Sequence, residues 1–424
     1  MGAERSSVYL STTRAADEAN GVAPRRGRGR VAGNVLALGA VSLITDTSSE
    51  MVTAILPIYL LVGLGLSPFA VGVVGGVNAL GSLLLRLVGG HVADRTQRRK
   101  VLAGLGYGIS AAAKVGLLAA GATVGWISAA VGLDRLGKGL RTAPRDALIS
   151  LSSDPADVGR AFGVHRAMDT VGALLGPLTA FLVVWAWPGR YDAVFVVSFG
   201  LAVMAVVVLV LFVRDHRDAL ASRSLVSVRA VARLARDRDL RRICLNAAVL
   251  GLVTIGDPFV YLLLQRRLDV TISRFALLPL GTAAVFLLLA APLGRLADRV
   301  GRWRVFVAGY GALLVAYLLL AGPVSGWPLL VGVLAAYGTY YAATDGVLMA
   351  VATPHLPAAL RTTGMALVQT CGVGAGLVAA LAFGAGWSLA GPEAVQVAFA
   401  GGLVLALGVA VLLAPRARRP EPGA

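Results

Sequence analysis

Residues 89–104, GGHVADRTQRRKVLAG, and residues 293–309, LGRLADRVGRWRVFVAG, are one short basic hairpin written twice, about two hundred residues apart. In each copy glycine closes an apolar stretch and an Asp-Arg pair follows (Asp94-Arg95, Asp298-Arg299). A basic cluster comes next, then a second apolar stretch. A short arginine-rich loop between two membrane-length segments belongs on the cytoplasmic face of a bilayer, where Lys and Arg accumulate. Its recurrence implies two homologous halves that present the loop to the same side.

Composition agrees. Of 424 residues, 57% are hydrophobic and 14% charged, against roughly 25% charged in a soluble domain. At a mean hydropathy of +0.78, so much apolar side chain has no soluble core to hide in. The net charge of +17 does not point to nucleic acid, because the basic residues fall between apolar runs rather than over one surface. Cys244 and Cys371 lie in apolar segments with no metal-ligand or disulfide spacing, and no cofactor is expected. The first 33 residues are polar and lack the apolar core of a cleaved signal. Arg25, Arg26, Arg28 and Arg30 form a basic collar before the first span, which places the N-terminus in the cytoplasm. The opening MGAERS fits the loose N-myristoylation pattern, but an acyl anchor adds nothing to a chain already held by many spans.

A spanning helix needs about 20 mostly apolar residues. That rule predicts twelve, over 35–64, 69–90, 101–120, 124–149, 161–187, 193–213, 243–265, 273–293, 304–322, 326–353, 362–388 and 393–414. The fold expected is an all-α integral membrane protein whose twelve transmembrane helices form two pseudo-symmetric six-helix bundles. Its parts are a cytoplasmic basic tail (1–33), an N-terminal bundle (34–213), a cytoplasmic loop (214–242), a C-terminal bundle (243–414) and a cytoplasmic tail (415–424). The turns at 64–68, 120–124 and 322–326 carry no charge, as suits external connections. In the central loop Val228, Val231 and Leu234 recur at helical spacing opposite arginines, compatible with an amphipathic helix on anionic headgroups or with a soluble linker. A second repeat supports the first. Asp146-Ala-Leu-Ile leads to Pro155, Arg160 and Gly163, as Asp345-Gly-Val-Leu leads to Pro354, Arg361 and Gly364.

Ionisable groups at membrane depth are costly and mark functional sites. On span 1, Asp46 and Glu50 share a helical face with Thr53 and Pro57. Two nearby carboxylates resist simultaneous ionisation, so one can be neutral at physiological pH, as proton coupling requires. A fixed ion pair with a base of span 4 is the other reading. On span 4, Asp134, Lys138, Arg141 and Arg145 form one stripe, flanked by Arg135 and Asp146, that cannot face lipid. Arg135 and Lys138 are expected to face a cavity, while Arg141, Arg145 and Asp146 suit a gating or loop-anchoring network. On span 5, His165, Asp169, Gly172 and Gly176 share a face, and Gly172 through Pro177 combines close helix packing with a proline break. His165 and Arg166 are read as structural. Asp257 and Asp345 are the isolated acids of the second half. Asp257 lies in a span expected to be broken, where substrate contact and structural capping both fit. Arg86 and Lys114 snorkel or pair with a neighbour.

These residues together resemble the major facilitator superfamily, over residues 34–414. Its loop signature, Gly-x-x-x-Asp-Arg-x-Gly-Arg-Arg, is kept in the second copy at Gly294, Asp298, Arg299, Gly301 and Arg302. The first copy keeps Gly90, Asp94, Arg95, Arg98 and Arg99 but has Gln97 in place of glycine. Arg135-Leu-Gly-Lys138-Gly139 resembles the span 4 Arg-x-x-Gln-Gly motif of proton-coupled members, and lysine for glutamine weighs against a cationic substrate. Gly172, Gly176 and Pro177 resemble the span 5 motif of exporters and antiporters, with Ala180-Phe181 replacing its final glycine pair. The block from Asp46 to Met51, with Lys138 to Asp146, also looks like a little-characterised prokaryotic subgroup.

The resemblance implies a monomeric, multi-pass transporter of the cytoplasmic membrane, exchanging protons for a small organic molecule by alternating access. Asp46, Glu50 and Arg135 would couple the proton, and Lys138, Arg141, Asp257 and Asp345 would line the substrate cavity. Gly90, Asp94, Arg95, Arg98, Arg99, Arg145, Asp146 and Asp169 would form the cytoplasmic gate, with Asp298, Arg299 and Arg302 its symmetry-related brace. An anionic metabolite or metal chelate held by Lys138 and Arg141 is the alternative, and a non-transporting receptor or scaffold a remote one. Enzymatic activity is not expected: His91, His165, His216 and His355 are scattered, with no HExxH pair and no GxSxG elbow.

Overall fold

A computed structural model describes residues 32–79, 81, 98–153, 157–215, 237–356 and 361–415. These are almost wholly helical, since a chain surrounded by hydrocarbon must satisfy its backbone polar groups within each segment. α1 is Gly33–Ile58, drawn out by a wider turn over Tyr59–Gly63. α2 is described over Pro68–Ala79. Then follow α3 (Arg99–Ala119), α4 (Val124–Leu151), α5 (Val158–Ala186) and α6 (Tyr191–Phe212). In the second half α7 is split into Arg238–Leu252 and Asp257–Leu268, and α8 has a first turn at Ile272–Phe275 before Leu278–Val300. α9 is Arg302–Ala321, α10 is Gly326–Thr344 resumed at Val347–Ala352, α11 is Arg361–Ala390 and α12 is Pro392–Leu412. Among the described residues nine helices are long and apolar enough to cross a membrane. α4 is long but crowded with the charges of residues 134–146.

The repeat seen in the loops is a repeat of packing. α1 packs on α5, α3 on α4 and α3 on α6; likewise α7 packs on α11, α9 on α10 and α9 on α12. Close approach depends on small residues. A Cβ on Gly106 of α3 would lie 2.7 Å from the carbonyl of Gly137 on α4. Between the halves, the principal contacts of the described residues lie toward the end of the bundle that carries the uncharged 64–68 turn. There α1 meets the second piece of α7, α5 meets the start of α8, and α2 meets α11. A Cβ on Gly384 would lie 2.7 Å from the carbonyl of Pro68, and the Phe69 amide donates to Ser388 Oγ at 3.2 Å.

One expected break is present in α7, one that was not expected occurs in α10, and the break expected in α5 is missing. α7 begins at Arg238 rather than 243 and unwinds between Leu252 and Asp257. α10 breaks at Asp345-Gly346, where Gly346 has φ +77°. α5 continues through Pro177 without interruption. At this proline α5 packs closely on α1, where a Cβ on Gly176 would lie 2.8 Å from the Met51 amide.

Candidate functional site

The N-terminal bundle buries its charges in two clusters. In the first, Lys114 of α3 donates to the Asp134 carboxylate of α4 and, at 3.1 Å, to Ser49 Oγ of α1. Arg135 stands 3.8 Å from Asp134 and donates to Thr53 Oγ1 at 3.3 Å. Lys114 thus pairs rather than snorkels, and it is 2% exposed. In the second cluster, Asp46 of α1 lies 3.7 Å from Lys138 and 3.5 Å from Arg141. Arg141 also stacks over the Tyr107 ring at 4.5 Å and donates to Ser110 Oγ.

The carboxyl that stands against Asp46 is that of Asp169 on α5, not Glu50 as the helical face suggested. Asp169 faces Arg145 at 3.8 Å and Arg166 at 3.7 Å, yet its Oδ1 is buried without a hydrogen bond. Arg145 pairs with Asp146 at 3.0 Å and donates to Ser42 Oγ, which also lies 3.0 Å from His165 Nε2. α1, α4 and α5 are therefore tied by one alternating set of charges at membrane depth.

The spacing of α1 and α5 is set by the two glycines of the exporter-like motif. A Cβ on Gly172 would run into the carbonyl of Leu43, and one on Gly176 would lie 2.6 Å from Glu50 Cβ and 2.8 Å from the Met51 amide. Neither obstacle is a flexible side chain. Gly172→Ala and Gly176→Ala should each destabilise the bundle by about 1–3 kcal/mol through overpacking, lowering the melting midpoint of detergent-solubilised protein. Gly163→Ala on the same helix, where nothing lies within 4 Å, should leave the midpoint unchanged or raise it.

A cavity of about 370 Å³ sits between the halves, its lining including Glu50, Thr53 and Asn78 from one half and Asp257, Phe259 and Tyr261 from the other. Asp257 is the first residue after the break in α7. Its Oδ1 accepts hydrogen bonds from Tyr337, at 2.6 Å, and from Tyr341, both on α10. The break itself is supported by side chains. Tyr317 Oη accepts from the Ile255 amide at 2.6 Å and donates to the Val253 carbonyl at 3.2 Å, and Tyr337 Oη lies 3.3 Å from the Ile255 carbonyl. A second cavity, of about 440 Å³, shares Thr254 and Gly376 with the first and contains Asp345, Tyr340 and Tyr341.

Of the residues expected at the substrate cavity, Asp257 and Asp345 line these two spaces, whereas Lys138 and Arg141 are turned onto Asp46 and line neither. Arg135 borders a smaller space of about 60 Å³ shared with Lys114 and Asp134. Gly90, Asp94 and Arg95 lie outside the described residues, as do the amphipathic stretch at 228–234 and both basic tails. Arg98 is exposed and the Arg99 side chain buried. In the second loop copy, Gly301 turns at φ +115°, and Arg302 joins Asp298 at 2.9 Å to the Ala350 carbonyl at 3.0 Å. Arg299, beside them, lies in the last turn of α8. Sequence reading missed the tyrosines around Asp257. Their signal was present: Tyr337, Tyr340 and Tyr341 recur at one-turn spacing on α10.

Two packed helical repeats with a cavity between them are the architecture of a membrane transporter. The Major Facilitator Superfamily family model matches residues 38–264 and 243–424, and the chain belongs to that superfamily. It is 30% identical over 387 residues to an uncharacterized MFS-type transporter of Methanocaldococcus jannaschii, covering 90% of this chain and 94% of that one. It is 38% identical over 146 residues to an uncharacterized protein of Mycobacterium tuberculosis, 34% of this chain and 35% of that one. Among solved structures, a point mutant of the nucleoside transporter NupG superposes with a TM-score of 0.79 at 14% identity, covering 90% of this chain and 99% of that one. The POT family transporter PepTSo does so with a TM-score of 0.70 at 15% identity, covering 91% and 98%. At these identities the likeness is one of fold.

Proposed function

We propose that the protein is a proton-coupled exporter of a small organic solute in the cytoplasmic membrane, acting as a monomer by alternating access of bundles 34–213 and 243–414. The observation that carries this reading is the buried Asp46–Asp169 carboxyl pair. Asp169 Oδ1 has no hydrogen-bond donor, so a proton placed between the two carboxyls has a site. Protonation cancels part of the acidic charge that binds Lys138, Arg141 and Arg145, and loosens α4 from α1 and α5. Asp46 keeps its expected coupling role, Asp169 takes the place assigned to Glu50, and Arg135 acts as a brace held by Asp134.

With both termini and the 214–242 loop cytoplasmic, the glycine contacts between α2 and α11 close the external side. The central cavity would then communicate with the cytoplasm. The first basic loop, with Gly90, Asp94, Arg95, Arg98 and Arg99, would close that side in the opposite state. Arg302, paired with Asp298, holds the second loop to α10, and Arg299 would complete the brace. The close α1–α5 packing through Gly172 and Gly176 supports export. Because Lys138 and Arg141 are committed to Asp46, the anion alternative is disfavoured. The protein would act as a carrier, without an enzymatic step.

The test uses purified protein in liposomes with an acid lumen, and an acridine dye that reports the pH difference. Addition of a transported solute outside should dissipate the gradient at a rate proportional to solute entry, and an uncoupler should abolish the signal. Solute entry that leaves the gradient untouched would overturn proton coupling.

A further inference from the structure

We infer that the solute carried is an organic cation, held between Glu50 of one half and Asp257 of the other beside Phe259 and Tyr261; this inference rests on the transport reading above. The starting point is where the charges are already spent. Lys114 and Arg135 are held by Asp134, while Lys138 and Arg141 are held by Asp46 and Arg145 by Asp146 and Asp169. Among the described residues the acids of the central cavity have no basic partner. Glu50 makes no ion pair among the described residues, and Asp257 receives only neutral tyrosine hydroxyls, both on Oδ1. Among the described residues lining that cavity, Glu50 and Asp257 are the only charged ones.

Two acids line one low-dielectric space and, among the described residues, no basic side chain lines it with them, Arg135 and Lys114 bordering only the smaller adjoining space. Such a pair calls for a positive counterpart. A proton satisfies one oxygen at a time; a bound cation satisfies both acids together. The walls suit an organic cation rather than a hydrated metal ion. Phe259 and Tyr261 lie beside the acids, and the volume of about 370 Å³ is of the size that takes a drug-like molecule. Tyr340 and Tyr341 are tilted against each other with centroids 5.2 Å apart, and Tyr341 connects Asp257 to the adjoining cavity that holds Asp345. Tyrosine faces attract cations electrostatically, most strongly where water is excluded. Asp345, these rings and Asp257 thus border two adjoining spaces in which, among the described lining residues, every charged group is acidic. The lysine at position 138, which weighed against a cationic substrate, is neutralised by Asp46 before it can act on the cavity.

Radiolabelled tetraphenylphosphonium binding to the full-length protein in nanodiscs tests the inference, with ethidium and methyl viologen as competing cations and fluorescein and benzoate as competing anions. Saturable binding is expected, displaced by at least one cation and by neither anion. Glu50→Gln and Asp257→Asn should each weaken it about tenfold or more, one charge contact of about 1.4 kcal/mol being tenfold. Asp257→Glu should retain most of the affinity, which separates loss of charge from disturbance of the tyrosines. Glu393→Gln, an exposed acid at the opposite edge, should bind as wild type. Absence of saturable binding of all three cations, displacement by the anions, or wild-type affinity in both Glu50→Gln and Asp257→Asn would each overturn the inference. The assay contains no proton gradient, so its failure is distinct from that of the transport reading: gradient-dissipating transport of a neutral or anionic solute would leave the latter standing.

Discussion

Asp134→Asn is expected to destabilise the N-terminal bundle by about 3–5 kcal/mol, the range for breaking a buried pair on one side. The cause is the partner left behind. Lys114 is 2% exposed and depends on Asp134 and Ser49, and an ammonium ion in that setting has no water to return to. Asparagine keeps the volume and one carbonyl acceptor but removes the charge. At the scale of a six-helix bundle this should lower the melting midpoint in detergent by roughly 10 °C. Removing both charges reverses the sign of the problem, because an apolar replacement of a buried pair is close to neutral. Lys114→Met combined with Asp134→Asn should therefore recover most of the lost stability. Melting of the double variant at or below the single one would show that the pair is not what holds α3 to α4.

Asp46→Asn is expected to separate transport from the proton gradient. Asp46 is the acid nearest both Lys138 and Arg141, at 3.7 and 3.5 Å. Asparagine mimics the protonated carboxyl permanently, so the α1–α4 contact is weakened in both directions of the cycle and no proton is gained or lost there. With charge-assisted contacts contributing roughly 1.5–3 kcal/mol, gradient-driven transport should fall about a hundredfold. Exchange of labelled for unlabelled solute, which needs no net proton movement, should persist within a few-fold of wild type. Asp169→Asn should act in the same direction, because it removes the second member of the carboxyl pair. If Asp46→Asn kept wild-type gradient dependence, the coupling site would have to lie elsewhere.

The architecture was legible in sequence because hydrocarbon imposes a length on every span and arginines mark one side. The duplicated loop correctly announced the duplicated packing of α1, α3, α5 and α6 in α7, α9, α11 and α12. The candidate site was legible only as a set of residue types. Helical periodicity places Asp46 and Glu50 on one face, but that face is wide enough for neighbouring positions to have different surroundings: Asp46 meets the bases of α4, while Glu50 lines the cavity between the halves. Likewise the basic stripe of α4 could be read as a lining or as one side of ion pairs, and only the positions of Asp46, Asp134 and Asp169 decide between them. The failure at Pro177 has the same origin. A proline's consequence depends on whether a neighbour supports the helix around it, and that neighbour, α1, is more than a hundred residues away in sequence.

The interrupted backbone of α7 borrows its hydrogen bonds from Tyr317 and Tyr337, and Tyr337 also holds Asp257. One phenol thus serves both a main-chain carbonyl and the carboxylate exposed to cargo. The phenol has one proton to give, so a cation that took over that carboxylate would release the proton to the Ile255 carbonyl and tighten the joint, whereas a free carboxylate competes for it. With Asp257 holding the solute as inferred above, occupancy of the cavity and stiffness of the α7 joint would be linked through one hydroxyl.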